Sequence, residues 1–179
     1  MSMGAILQQV RDHLRSAMSL GVDQCDVRPG GMPTAAAGEF YVAVDELGVQ
    51  STAQSHLREQ YEIEVSIWRR TGQYPDDRLS DVVLRDDVYL AGIQTLDDLE
   101  RSVIKNLHAN YTDITAAANT AIDAGAPGKG DIFQLALYYT GRSRSEVLDH
   151  NPKENPAPWL GRRLKFTGMI RVQATDVMQ

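Results

Sequence analysis

The sequence predicts an α+β domain, a small antiparallel or mixed sheet of about 4–5 strands with two or three helices packed on one face. Runs such as Phe40–Asp45 and Tyr61–Arg70 alternate apolar and polar side chains, the mark of strands with one polar face. Such strands suit antiparallel or mixed sheets, not doubly wound parallel ones. Stretches with helical periodicity flank these runs and can cover the apolar face.

Ile6, Val10, Leu14 and Met18 recur every four residues while Gln8, Gln9, Arg11, Asp12 and Arg15 fill the other faces. A helix is expected over about 4–20, stopped by Gly21. "QCDVRPGG" reads as a short strand ending in a Pro-Gly-Gly turn. In "FYVAVDE", Phe40, Val42 and Val44 face one side and Tyr41, Ala43 and Asp45 the other. A polar stretch at about 46–60 separates this strand from Tyr61–Arg70, whereas tight hairpins use loops of about 2–5 residues. A long hairpin arm, a candidate contact element, is therefore expected there.

"TGQYPDDRLSDVV" is a turn-rich link. "TLDDLERSVIKNLHANY" carries a helical stripe of Leu96, Leu99, Val103, Ile104 and Leu107. Thr95 is its expected cap, with Asp97, Asp98 and Glu100 in the first turn, where the helix dipole favours negative charge. Thr112-Asp113 introduces a small-residue helix, "ITAAANTAIDAG", ended by Gly125. "IFQLALYYTG" is assigned as a strand in preference to a helix. The segment at about 141–163, with three prolines after Arg142, is expected to be irregular. The closing strand alternates Leu164, Phe166, Gly168, Ile170, Val172 and Ala174 with Lys165, Thr167, Met169, Arg171 and Gln173.

With 179 residues, 42% of them hydrophobic, the whole chain, 1–179, fits a single domain. A net charge of −6 argues against gripping nucleic acid as the main task. The single cysteine, Cys25, excludes an internal disulfide framework. "MSMGAILQQVRDHLRS" has no positive leader or signal-peptide core, and no apolar run reaches the roughly 18 residues of a membrane span. The expected location is a cytoplasm, or a particle assembled in one.

Glu62 and Glu64 share a strand face about 7 Å apart, a spacing that acid–base hydrolysis can use. A catalytic acid needs burial or a tuned partner, and the alternation places this pair on the open face. "DAGAPGKGD" has Asp123 and Gly130 where a phosphate loop needs Gly and Ser or Thr, and it follows a helix. The histidines are scattered without zinc-ligand spacing, and Cys25 lies in a short strand where a buried, inert thiol is expected. No catalytic set, cofactor or metal is expected. A small metal-dependent cytoplasmic enzyme would need Asp76, Asp77, Asp86 and Asp87 to converge. A DNA-binding module would use Arg162, Arg163 and Lys165. The expected contact residues are Glu62, Glu64, Trp68, Arg70, Arg162 and Arg163. Trp68 among charges resembles a contact hot spot, so Trp68→Ala is expected to weaken assembly more than folding.

The order of a leading amphipathic helix, the "FYVAVDE" strand, a polar arm, "YEIEVSIWRRTG", the "LDDLERSVIKNL" helix and the closing "LKFTGMIRVQ" resembles the tail terminator (tail-tube capping and head–tail joining) proteins of long-tailed bacteriophages and prophages. The resemblance covers about residues 3–175 and rests on element order and length, not on a motif. It implies a non-enzymatic virion subunit without cofactor. It also implies a ring, typically a hexamer, that caps the tail tube, stops its elongation and joins the head connector. The implied partners are further copies of the chain, the major tail tube protein, the head-closure or connector protein, and DNA passing through the lumen without sequence-specific binding. The implied location is the head–tail junction of the virion. A head-closure or adaptor subunit of the same neck is the neighbouring reading.

Overall fold

A computed structural model describes residues 3–34, 37–51, 58–70, 86–109, 136–148 and 159–171. In chain order the elements are α1 (Met3–Met18), β1 (Cys25–Val27), a 3-10 turn (Pro29–Gly31), β2 (Phe40–Ser51), β3 (Arg58–Arg70), α2 (Asp86–Ala109), β4 (Ala136–Arg142), β5 (Glu146–Leu148) and β6 (Trp159–Arg171). The class is the expected α+β, with six strands among the described residues rather than about 4–5. The third expected helix, in 114–125, lies outside the described residues.

The sheet order is β1-β2-β3-β6-β4, and β5 pairs with β6 beyond the end of β4. β1 runs parallel to β2 and the other pairings are antiparallel, so the sheet is mixed. β3 and β6 form its spine, paired from Arg58↔Arg171 to Arg70↔Trp159. Two bulges interrupt the ladders, between Glu46 and Gly48 on β2 and between Tyr139 and Gly141 on β4.

Both helices lie on one face. α1 touches β1 and β2, and α2 touches β3, β4 and β6. Ile6, Val10 and Leu14 of α1 and Leu96, Val103 and Leu107 of α2 close over Val42, Val44, Ile63, Val65, Ile67, Leu160, Leu164 and Phe166. The period-four stripe of α1 and the period-two rows of β2, β3 and β6 thus meet in one core.

Three element boundaries differ from expectation. α1 ends before Gly21: Ser19 turns left-handed (φ 54), and the Leu20 N–H returns to the Arg15 carbonyl at 2.9 Å, closing the last turn. α2 begins at Asp86, so Thr95 is no cap. Its hydroxyl instead donates to the Ala91 carbonyl, 3.0 Å away and one turn back. β6 begins at Trp159 and β5 lies at Glu146–Leu148, so the segment at 141–163 is partly strand. The strand expected within "IFQLALYYTG" is present as β4.

Cys25 is fully buried, and its thiol points at the Arg11 carbonyl, 3.8 Å away. Burial pushes the thiol up to about 12, against the pull of Arg15 and Arg11. A disulfide reagent at mildly alkaline pH is expected to label native Cys25 at least about a hundredfold more slowly than the denatured chain. Comparable rates would show that β1 opens freely.

Candidate subunit interface

The expected open face is the largest correction. Tyr41, Ala43, Trp68 and Trp159 point away from the helices, and with Ala37 they form a second, smaller core. The segment after β1 folds back across them, bringing Met32 and the Pro29–Gly31 turn over the sheet. Trp68 is fully buried, and its indole Nε1–H donates to the Gly31 carbonyl at 2.7 Å. Gly161, opposite Trp68 on β6, has no room for a Cβ, which would run into the indole ring.

Glu64 is buried on this face, and its Oε1 accepts hydrogen bonds from Arg163 Nη1 (3.0 Å) and the Ser66 hydroxyl (3.4 Å). Arg163 also donates to Glu146 Oε1 at 2.9 Å and to the Gly30 carbonyl at 3.3 Å, tying β6, β3, β5 and the turn together. Glu62 is half-buried two residues along the face. Arg70 is half-buried, with its guanidinium 4.9 Å from the Trp159 ring centroid. Trp68 and Glu64 are therefore engaged within their own chain, and the open-face placement fails for them. Its physical cause is the returning segment after β1, whose small residues carry no periodic signal.

The turn depends on its glycines. Gly31 has φ +63, and a Cβ there would overlap the Ser66 side chain; Gly30 has φ +76 with open space around it. Gly31→Ala is expected to cost about 2–4 kcal/mol and Gly30→Ala about 1–2 kcal/mol, measured by urea unfolding. Equal losses would place the Gly31 backbone away from Ser66.

Arg162 lies on the opposite, helical face. Its Nη1 donates to Glu100 Oε2 and Asp97 Oδ1, both at 2.6 Å, and its Nε to the Ser145 hydroxyl at 3.1 Å. Arg142 Nη1 reaches the same two carboxylates at 2.6 and 3.3 Å, and Tyr139 Oη donates to Glu100 Oε1 at 3.0 Å. Two arginines and two carboxylates form a neutral knot between α2, β4 and β6. Burial pushes the Glu100 carboxyl up, but hydrogen bonds from Arg142, Arg162 and Tyr139 outweigh it and hold the group below the ordinary carboxylate range. Asp97 is lowered chiefly by its hydrogen bond from Arg162. The two acids are thus ion-pair partners inside a long helix, not first-turn dipole ligands. One sequence signal marks this knot: Glu100 falls within the apolar stripe, four residues after Leu96 and three before Val103.

Among the described residues, no group of three or more His, Cys, Asp or Glu side chains is placed to hold a metal ion. Asp76, Asp77 and the "DAGAPGKGD" stretch lie outside the described residues. No described helix is long and apolar enough to cross a membrane.

Of the arm expected at about 46–60, residues 46–51 and 58–60 are strand, and residues 52–57 lie outside the described residues. β2 and β3 stay paired through Val49↔Tyr61, Gln50↔Gln60 and Ser51↔Glu59, and β6 flanks β3 out to Arg171. Tyr61 is the outermost buried residue described on β3. Along β2 beyond Val44, Glu46 and Leu47 are exposed, Leu47 by 43% at the bulge. On the same half of the sheet, the face away from the helices carries Tyr138, 56% exposed, and exposed Lys165, with half-buried Thr167 and Glu62 between β4 and β2.

No protein-family model matches the chain, and no curated protein matches its sequence. The class that the fold defines is a mixed α+β domain.

Proposed function

We propose that this chain is a ring-forming subunit of a phage neck, a tail terminator that caps the tail tube, stops its growth and joins it to the head connector. The observation that carries the reading is the arm. Three strands continue in register past the outermost described core residue of β3, with acidic and apolar side chains exposed at the β2 bulge. An edge strand with exposed apolar and acidic side chains is a liability in a lone domain and a natural contact element in an assembly. The α+β class agrees with the one the resemblance implies.

Virions assembled without this protein are expected to show overlong or headless tails by electron microscopy. Normal tails joined to heads would remove the reading. Binding to the portal side with no affinity for tube protein would move the subunit to the head-closure position.

A further inference from the structure

We infer that the β2 arm of one copy lies across the exposed half of the polar sheet face of the next, with Leu47 against Tyr138 and Glu46 against Lys165. This rests on the ring reading, which requires two different surfaces of one chain to meet head to tail.

The two surfaces are at opposite sides of the sheet but at one height. Asp45 pairs with Glu64, which pairs with Lys165; Gly48 pairs with Glu62, then Thr167, then Tyr138. A copy displaced sideways therefore brings its β2 arm to the level of Tyr138 and Lys165. Simple edge-to-edge continuation of the sheet is blocked. β1 fills the column outside β2 at Val42–Val44, and Arg142 and Ser143 fill the column outside β6 on the rungs of Val44 and Ala43. Both cannot occupy one column, so the arm must pass over the face, where stacked sheets sit about 10 Å apart. The face is open at this level: Tyr138 and Lys165 are exposed, while the turn that covers the other half reaches Gly31 over Ser66.

Chemistry selects a second copy as the occupant. Leu47 and Tyr138 are both exposed apolar side chains, and each has a charge of opposite sign close by, Glu46 on the arm and Lys165 on the face. Charge complementarity of this kind fixes register and excludes wrong partners.

The test combines cross-linking with a charge swap, read by native mass spectrometry with and without tail-tube protein. The chain carrying Leu47→Cys and Tyr138→Cys together is expected to form covalent oligomers on oxidation; each single variant is expected to form none in that series. Glu46→Lys is expected to weaken association about tenfold. Adding Lys165→Glu in the same chain is expected to restore it, and the melting temperature is expected to hold because both side chains are exposed. Oligomers without the 47–138 cross-link, or indifferent to both charge changes, overturn the arm placement and leave the ring reading standing. Cross-linked open chains that never close keep the arm placement and remove the ring. A wild-type chain that stays monomeric both alone and with tube protein removes both.

Discussion

Replacing Trp68 by alanine is expected to lower the unfolding free energy by about 3–5 kcal/mol, the range for emptying a buried aromatic site. The indole is fully enclosed between the sheet and the returning segment, against Gly161 and beside Tyr41 and Trp159. Its removal also leaves the Gly31 carbonyl without its 2.7 Å donor. The expected signature is a lower urea midpoint for the whole domain, with assembly reduced in proportion to the folded fraction. Trp68→Phe retains much of the packing but loses the N–H, so it is expected to fall between the two, closer to wild type. A Trp68→Ala chain of native stability that fails to assemble would return Trp68 to the role of an exposed contact.

The second large effect is expected at Glu100. Arg162 is 4% exposed at its side chain, and removing a carboxylate partner leaves its charge buried beneath α2. Glu100→Ala is expected to cost about 3 kcal/mol, at the low end of the range for breaking a buried pair, because Asp97 still faces Arg162. Replacing Arg162 by Met and Glu100 by Leu together is expected to recover much of the loss, since Arg142 is 46% exposed and can turn to water.

The same knot gives acid sensitivity with a definite sign. Folded Glu100 and Asp97 titrate below their ordinary values of 4.5 and 3.8. Their contribution is therefore complete above those values and is lost as pH falls through the lower, folded ones. Wild-type stability should decline from about pH 4.5 downward, and more shallowly in Glu100→Gln. Identical pH slopes for the two proteins would mean that the carboxylate is not held by the arginines. Because α2 meets β4 and β6 at this point, loss of the knot is expected to release β4 first, visible as early loss of amide protection at Tyr139.

Much of the fold is legible in the sequence because period and burial agree. In α1, β2 and β3 the residues that recur at 3.6 or 2 form the core, apart from half-buried Met18 and Phe40 at the element ends. The alternation of β3 also places Glu62 and Glu64 correctly on the face away from the helices. It carries no information on what covers that face. Burial of Trp68 and Glu64 is set by the Pro29–Gly31 turn with Met32 and Ala37, small or flexible residues with no period, and by contacts across more than thirty positions of sequence, such as Trp68 to Gly31. Burial of Arg162 is hidden in the sequence for a related reason. This residue follows Trp159, Leu160 and Gly161, where both faces of β6 are buried and the alternation disappears. The start of α2 is hidden in the sequence because Thr95 followed by acids imitates a cap, while in the fold Asp97 and Glu100 answer arginines 42–65 residues away.

The most direct measurement is electron microscopy of tail tubes grown from the cognate tube protein with and without this chain. Tubes grown with it are expected to carry a ring of added density at one end and to stop lengthening. Tubes that keep growing with bare ends would contradict the assignment.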